Sequence, residues 1–429
     1  MIAAAVIALL FVLIFLAMPV SFAMLVAGIS GLWAVGDWYS VMGVLKTAPY
    51  QSAASFTLTT FPMFVLMAEV MGATRITGDL FRATNSWMGH LRGGIAYAAV
   101  LGGTFLAAAC GSSSAAAATL SSAIYPELRK YGYSESFSAG ALAAVGTLSI
   151  MIPPSIALIL YGILTETSVG QLLIAGVLPG LLTACVYGVT IYIILRRADV
   201  RIQERVPMAQ RVRTSLPALP MIVLLGAMLF LIYSGIATPT EVGALGALFA
   251  FGIGIFMGRM DLASLKRALF RSTRSSAMIL AIICFSSVFA VFLSLSGTPQ
   301  ALLEAVRDSG LGAFPVLLLV LAVLLVLGVF LDQIAILIIA LPLVFPLMTG
   351  LGYDPIWLGV IVVKTAEIGL LTPPVGLNLF IVSGSSRVPV AKVARGVTPF
   401  VVAELVVLAV LVAFPAISTW LPELSKVGF

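Results

Sequence analysis

Long apolar runs follow one another along nearly the whole chain, with only short polar connections between them. Most of these runs approach the length of about 20 residues that one helix needs to cross the hydrocarbon core of a membrane. The runs lie near residues 2–17, 20–36, 55–72, 94–128, 136–164, 170–195, 216–235, 240–256, 276–296, 313–349, 355–386 and 396–416. The pattern predicts an all-α polytopic membrane protein with about ten spanning helices and no soluble domain.

Small and hydroxyl-bearing residues interrupt the run 94–128 near its middle, in the stretch CGSSSAAAATL at residues 110–120. Irregular backbone is tolerated at membrane depth only where protein encloses it or where it lines a cavity. A run of about 35 residues is also too long for one crossing and suits a hairpin that returns to its own side. We therefore predict two re-entrant hairpins, at 94–128 and 313–349, with the first tip at Gly111 to Ser114.

Composition agrees with a membrane protein, since 61% of the residues are hydrophobic and 9% are charged. The formal net charge is +6, but most basic residues fall into five short connections, which is typical of cytoplasmic loops and not of a nucleic-acid surface. They are Arg75, Arg82 and Arg92; Arg129 and Lys130; six residues from Arg196 to Arg213; five from Arg259 to Arg274; and Arg387, Lys392 and Arg395. Placing all five connections inside puts the N-terminus outside and requires both hairpins.

The chain contains an internal repeat at an offset of 220 residues. At that offset IYPELRKYGY (124–133) aligns with VFPLMTGLGY (344–353), and SIMIPPSIALIL (149–160) aligns with GLLTPPVGLNLF (369–380) without a gap. The basic connection before the first hairpin has a counterpart near 297–312 that we expect outside, so the copies are predicted to be inverted. The predicted organisation is a first repeat at 1–195, a cytoplasmic basic linker at 196–214 and a second repeat at 215–429.

A pair of prolines interrupts a helix in each copy, at Pro153-Pro154 and at Pro373-Pro374. Proline has no backbone N–H, so carbonyl groups about one turn earlier lose their helical partners and become available to a cation. These carbonyl groups are those of residues 149–152 and 369–372. A new half-helix is predicted from Ser155 and from Val375, and its free N–H groups favour an anion. Broken helices in inverted copies are typical of alternating-access transporters.

Each of these features also has a purely structural interpretation. A proline pair can be a simple kink, and small residues such as those at 110–118 often serve close helix packing. The joint occurrence of a hairpin and a proline break in each copy favours the transport interpretation, because the spacing between the two features is the same in both copies.

Five segments of the sequence resemble the large membrane subunit of tripartite ATP-independent periplasmic (TRAP) transporters. They are GSSSAAAATLSSAIYPELRKYGY, GTLSIMIPPSIALILYG, PTEVGALGALFA, GVFLDQIAILIIALPLVFPL and EIGLLTPPVGLNLF. The resemblance covers essentially the whole chain and implies sodium-driven uptake of small organic acids such as C4-dicarboxylates across the inner membrane. It also implies an elevator motion and two partners, a periplasmic substrate-binding protein and a small four-helix membrane subunit. No cofactor is implied apart from the coupling sodium ions.

The resemblance also implies where ions and substrate bind. One sodium site would include Cys110, Gly111, Ser112, Ser114, Ser149, Ile152 and Pro154. A second would include Gly328, Asp332, Gly369, Thr372 and Val375. Substrate would contact Ser112, Ser113, Ser155, Thr372 and Asn378, with Lys364 as a further candidate. Ser149 and Cys110 depart from the family pattern, which usually has glycine and a small polar residue at these two positions.

Charged residues inside apolar runs are costly and commonly functional. Lys364 and Glu367 are three residues apart on one predicted helix, which suits an internal ion pair or, alternatively, a contact from Lys364 to a substrate carboxylate. Asp332 is expected either to bind a cation or proton or to cap the second hairpin tip. Glu69 and Glu404 are expected to contact the scaffold or another subunit.

Other functions fit the sequence less well. A serine hydrolase needs a base near Ser112 to Ser114, and the single histidine, His90, lies in a basic connection about one membrane helix away. A channel needs rings of polar or charged positions, which the sequence does not provide. The three cysteines show no spacing typical of a zinc site or a disulfide framework. The remaining alternative is a standalone sodium-coupled dicarboxylate symporter of the same broad architecture.

Overall fold

The computed structural model describes residues 2–74, 76–196, 198 and 200–426, and these residues form helices and connections without a strand. Two arginines of the predicted cytoplasmic connections, Arg75 and Arg197, lie outside the described residues. The α-helices are α1 (Ile2–Phe15), α2 (Val20–Val35), α3 (Trp38–Ala53), α4 (Thr60–Ala73), α5 (Ile76–Met88), α6 (Gly94–Cys110), α7 (Ser113–Lys130), α8 (Glu135–Met151), α9 (Ile156–Thr165), α10 (Val169–Ala175), α11 (Val177–Leu195), α12 (Met208–Ser215), α13 (Leu219–Tyr233), α14 (Pro239–Phe256), α15 (Leu262–Leu295), α16 (Thr298–Asp308), α17 (Ala313–Phe330), α18 (Gln333–Gly350), α19 (Pro355–Leu371), α20 (Leu377–Ser386), α21 (Val390–Ala413) and α22 (Ala416–Lys426).

Eight segments of the described chain are long and apolar enough to cross a membrane, or nine if the bent pair α8 and α9 forms one span. The sequence predicts about ten. Helices α1 and α2 are also apolar, but they hold only 14 and 16 residues, fewer than the ~20 of a full crossing. The arms α17 and α18 of the second hairpin are among the eight, so length alone does not separate a hairpin arm from a crossing helix.

The helix boundaries repeat along the chain at the offset seen in the sequence. Helices α7 and α18 begin at 113 and 333 and end at 130 and 350, an offset of 220 residues at both ends. Helices α8 and α19 likewise run from 135 to 151 and from 355 to 371. The offset therefore describes helices as well as sequence motifs, while the inverted orientation of the copies stays a prediction.

Both long apolar runs form helix pairs with a sharp break. In the first hairpin (α6 and α7) the break lies at Gly111 and Ser112, and Gly111 has a φ of +60°, a conformation that glycine adopts at little cost. In the second hairpin (α17 and α18) the break lies at Leu331 and Asp332. The Asp332 carboxylate accepts a hydrogen bond of 2.9 Å from the Ala335 N–H and thereby caps α18.

The proline pairs end two of the most buried helices. All residues of α8 from Phe137 onward are buried, as are all residues of α19 from Ile356 onward. After the first pair the chain bends by 40° into α9, where the Ser155 hydroxyl caps the helix by accepting a 3.2 Å hydrogen bond from Leu158 N–H. Each copy thus has a long buried helix, a break and a short helix in sequence.

The helices pack in two groups. An outer group (α1–α4 and α13–α15) and an inner group (α6–α11 and α17–α21) make most of their contacts internally, while α4 and α15 also contact α6, α9 and α18 of the inner group. Within the inner group, α8 and α21 cross so closely that a Cβ on Gly140 would lie 2.1 Å from the Gly396 carbonyl carbon. The hairpins and both broken helices therefore belong to one packing unit.

Helix α15 of the outer group is unbroken over 34 residues and contacts α2, α3 and α4. Asp261 caps its first turn by accepting a hydrogen bond of 2.8 Å from Ser264 N–H. Hydrogen bonds from the Ser264 side chain and backbone hold the pKa of Asp261 below its ordinary value, because they stabilise the ionised carboxylate.

The inverted orientation predicts opposite labelling of two equivalent leucines. Leu91 and Leu311 are 220 residues apart, immediately before the two hairpins, and are 43% and 53% exposed. In a chain whose native cysteines are replaced, we expect Leu91→Cys to react with an impermeant maleimide only from the cytoplasm and Leu311→Cys only from outside. Labelling of both from one side would show that the copies are parallel.

Candidate functional site

The first hairpin tip touches the first proline break. A Cβ added to Gly111 would lie 3.1 Å from the Pro154 carbonyl oxygen and 3.1 Å from the Ile156 side chain. Ser112 is half-buried and stands at the N-cap of α7, but its side chain makes no capping hydrogen bond. Of the residues predicted for the first sodium site, Gly111 and Pro154 are therefore neighbours in space, and the Ser112 hydroxyl at the tip is not engaged in capping.

The alanine run that follows the tip packs tightly, as the sequence suggests. Ala116 and Ala117 are fully buried, and a Cβ added to Gly146 of α8 would lie 2.7 Å from the Ala117 Cβ. On α8, Ser149 is fully buried and its hydroxyl donates to the Gly146 carbonyl oxygen at 2.8 Å. Small residues thus let α7 approach α8 along the length that leads to the break.

The second hairpin approaches the second break at a pair of glycines. A Cβ added to Gly369 would lie 2.4 Å from the Cα of Gly328, and one added to Gly328 would lie 2.8 Å from the Cα of Gly369. The Gly369 carbonyl oxygen accepts a hydrogen bond of 3.0 Å from Thr372 N–H, so one of its two lone pairs is engaged. The side chain of Asp332 is exposed apart from its cap.

The second short helix begins later than the sequence predicts. Helix α20 starts at Leu377 rather than at Val375, because Gly376 occupies the N-cap with a φ of +31°. Leu379 N–H then donates to the Gly376 carbonyl oxygen at 2.8 Å. The positive φ is a backbone conformation that residues with a side chain rarely adopt, so the glycine delays the helix by two residues.

The predicted substrate residues lie on segments that pack together across the two copies. Helix α7, which starts at Ser113 with Ser112 at its N-cap, contacts α20, and α18 contacts α9. Ser113 and Ser155 are buried, whereas Thr372 is half-buried and donates its hydroxyl proton to the Ile368 carbonyl oxygen at 2.7 Å. Each hairpin therefore contacts the broken helix of the other copy as well as its own.

Asn378 is a predicted substrate residue with a fully buried amide that has no hydrogen-bond partner among the described residues. It is fully buried near the start of α20, and neither its amide nitrogen nor its amide oxygen has a hydrogen-bond partner among the described residues. A buried amide without partners costs about 1–3 kcal/mol, so its hydrogen-bonding groups are normally satisfied by a water molecule or a ligand.

Lys364 lies in a buried ion cluster rather than at either hairpin tip. Its ammonium is 3.5 Å from the Glu367 carboxylate, which confirms the predicted pair, and 2.5 Å from Glu404 Oε2. It also donates to the Thr183 hydroxyl at 3.1 Å, while the Tyr187 hydroxyl donates to Glu404 Oε1. The sequence predicts a scaffold or subunit contact for Glu404, but this carboxylate is fully buried inside the inner group.

A cavity of the described chain lies away from these residues. It has a volume of about 950 Å³ and is bounded by α3, the end of α9, the start of α14, α15 and α18, so it separates the outer and inner groups. None of the residues predicted for ion or substrate binding lines it. Glu69 is half-buried on α4 near Arg271 of α15, in agreement with a scaffold position.

The described residues contain no group of three or more His, Cys, Asp and Glu side chains arranged to hold a metal ion.

Comparisons with known proteins agree on one family. Residues 7–417 match the family model for the tripartite ATP-independent periplasmic transporter, DctM component. The chain is 37% identical to the C4-dicarboxylate TRAP transporter large permease protein DctM of Pseudomonas aeruginosa, over 87% of this chain and 88% of that protein. It is 30% identical to the ectoine/5-hydroxyectoine TRAP transporter large permease protein UehC of Ruegeria pomeroyi, over 85% of each.

The fold is also similar to a solved transporter structure. The Alcanivorax borkumensis YdaH transporter superposes with a TM-score of 0.66 over 88% of this chain and 90% of that chain, at 12% sequence identity. At this identity the likeness concerns the arrangement of helices alone.

Proposed function

Because the chain belongs to the DctM component family of the tripartite ATP-independent periplasmic transporters, we propose that it takes up small organic acids driven by a sodium gradient. The protein is a multi-pass inner-membrane transporter subunit and not an enzyme. C4-dicarboxylates are the proposed substrate class, since three relatives bearing that name are 37%, 33% and 32% identical to this chain.

The unpaired amide of Asn378 is the observation that carries the proposed substrate site. A carboxylate oxygen can accept from the amide nitrogen, and a substrate hydroxyl can donate to the amide oxygen. The first turn of α20 adds backbone N–H groups and the positive end of a helix dipole beside it. Ser112, Ser113, Ser155 and Thr372 complete the proposed contacts with hydroxyl groups.

Two sodium sites are proposed at the contacts between hairpins and breaks. The first uses the tip from Cys110 to Ser114 with oxygens near Ser149, Ile152 and Pro154. The second uses Gly328 and Asp332 with oxygens near Gly369, Thr372 and Val375. The close approach of Gly111 to the Pro154 carbonyl and of Gly328 to Gly369 supports both assignments.

The proposed transport cycle moves the inner group past the outer group. The hairpins and broken helices form one packing unit, and a cavity of about 950 Å³ lies between that unit and the outer group. Such an arrangement suits an elevator motion, in which the sites travel with the inner group. The proposed partners are a small four-helix membrane subunit that braces the outer group and a periplasmic binding protein that delivers substrate.

Reconstitution in proteoliposomes tests this function. We expect an imposed sodium gradient to drive accumulation of a labelled C4-dicarboxylate only when the small subunit and the binding protein are both present. Uptake by the large subunit alone would instead support a standalone sodium-coupled symporter. Accumulation that persists without a sodium gradient would refute sodium coupling.

Ser112→Leu should abolish uptake without removing the protein from the membrane. The serine side chain makes no capping bond and is half-buried at the hairpin tip, so leucine blocks the proposed site without breaking a described hydrogen bond. Ser122→Leu is the matched control, since Ser122 is an exposed serine on the same helix. Uptake at the control level by Ser112→Leu would mean that the tip serves packing only.

A further inference from the structure

The ion cluster around Lys364 is separate from the two proposed sodium sites and has no counterpart in the first copy of the repeat. At the repeat offset, the positions equivalent to Lys364 and Glu404 are Ala144 and Ala184, which cannot form a charged pair. The position equivalent to Glu367 is Thr147, whose hydroxyl contacts the Tyr187 hydroxyl at 3.2 Å. The cluster is thus a feature of one copy, built where helices α8, α11, α19 and α21 meet.

The cluster surrounds one cation with oxygen atoms. The ammonium of Lys364 is fully buried and lies 2.5 Å from Glu404 Oε2, 3.1 Å from the Thr183 hydroxyl and 3.5 Å from Glu367 Oε2. These oxygens come from three helices, α11, α19 and α21, so they form a cage and not an i,i+3 pair alone. Cages of carboxylate and hydroxyl oxygens are also what hard metal cations require.

The cage holds more carboxyl groups than cations. Glu367 and Glu404 supply two carboxyl groups for one ammonium, and Glu367 Oε1 has no hydrogen-bond partner within the described part of the chain. A buried carboxylate without a counter-charge is strongly unfavourable, so a cation in the cage stabilises the ionised form of these groups.

We propose that the Lys364 ammonium is a tethered monovalent cation, which permanently fills an oxygen cage that binds a free monovalent cation when the lysine is removed. A tethered ion cannot dissociate, so it contributes no coupling to a gradient. It instead keeps α19, which carries the second proline break, attached to α11 and α21 whichever ions are bound elsewhere. This inference does not depend on the substrate or on sodium coupling.

Chemical rescue of Lys364→Ala tests the proposal. Alanine leaves a void that n-propylammonium matches, because this ion reproduces the part of the lysine side chain that alanine lacks. The detergent-solubilised, purified variant is assayed in sodium-free buffer of constant ionic strength with added n-propylammonium, potassium or tetramethylammonium, and its melting temperature is measured. We expect n-propylammonium to raise the melting temperature of Lys364→Ala in a saturable way, and tetramethylammonium, which is too large, to have no effect.

Three control proteins make the result specific. The wild-type protein and Lys364→Met should show no such shift, since in each a side chain fills the void. The double variant Lys364→Ala/Glu404→Gln should respond much less, because the cage has lost one carboxylate. A shift absent from Lys364→Ala for every cation, or equally large in the double variant or the wild type, would overturn the proposal.

Discussion

Lys364→Met is expected to lower the free energy of unfolding by about 3–5 kcal/mol, the usual cost of removing one partner from a buried ion pair. The methionine side chain fills most of the space but leaves Glu367 and Glu404 buried without their cation. The loss is an electrostatic effect and not a cavity, since Met is unbranched and similar in length to Lys. Thermal melting of the purified protein measures it directly.

The charge-free variant separates this cause from simple damage to packing. In Lys364→Met/Glu367→Gln/Glu404→Gln no charge remains in the cluster, and fully neutral replacements of buried ion clusters are often neutral or stabilising. We therefore expect the triple variant to melt close to the wild-type temperature and well above Lys364→Met. A triple variant as unstable as the single variant would mean that the cluster acts through shape and not through charge.

Gly369→Ala is expected to weaken sodium activation of uptake by roughly 5–150-fold. The added methyl carbon would lie 2.4 Å from the Gly328 Cα and 2.9 Å from the Leu325 carbonyl oxygen, so the backbone of the second hairpin has to move away from the break. Overpacking of this kind costs about 1–3 kcal/mol. If the whole cost falls on the sodium-bound state, the affinity for sodium drops by roughly 5–150-fold. The measurement is the sodium concentration that gives half-maximal uptake.

Gly384→Ala is the matched control for the same added atom. It lies on α20, and no heavy atom stands within 4 Å of the position that its Cβ would take. Alanine also favours the helix over glycine, so we expect this variant to fold and transport normally. A loss of sodium affinity in both variants would point to general sensitivity of the inner group, while normal affinity in Gly369→Ala would place the second sodium site elsewhere.

Local backbone chemistry made the hairpins and broken helices predictable from the sequence. Glycine and proline have strong conformational consequences at single positions, so Gly111 and the two proline pairs locate three of the four breaks directly. The repeat offset then fixes the fourth, at Leu331 and Asp332. The start of α20 was predicted two residues early, because the positive φ at Gly376 depends on packing against the Leu370 and Thr372 carbonyl groups.

Long-range partners were the part that the sequence did not reveal. The pair Lys364 and Glu367 is visible because three residues on a helix make neighbours, whereas Glu404 and Tyr187 reach the cluster from helices distant in the chain. A buried glutamate in an apolar run signals a partner but does not name it. The unpaired amide of Asn378 is likewise a property of its surroundings, which only the fold supplies.

Helix α15 has a mechanical consequence for the outer group. At 1.5 Å per residue its 34 residues extend about 51 Å, some 20 Å more than the hydrocarbon thickness of a bilayer. Lys266, Arg267, Arg271 and Arg274 are all exposed in its first four turns. Drawing each of these charges to mid-bilayer would cost about 2.5–3.5 kcal/mol on insertion scales. The charged overhang therefore opposes displacement of α15 along the membrane normal and fixes the depth of the outer group in the bilayer.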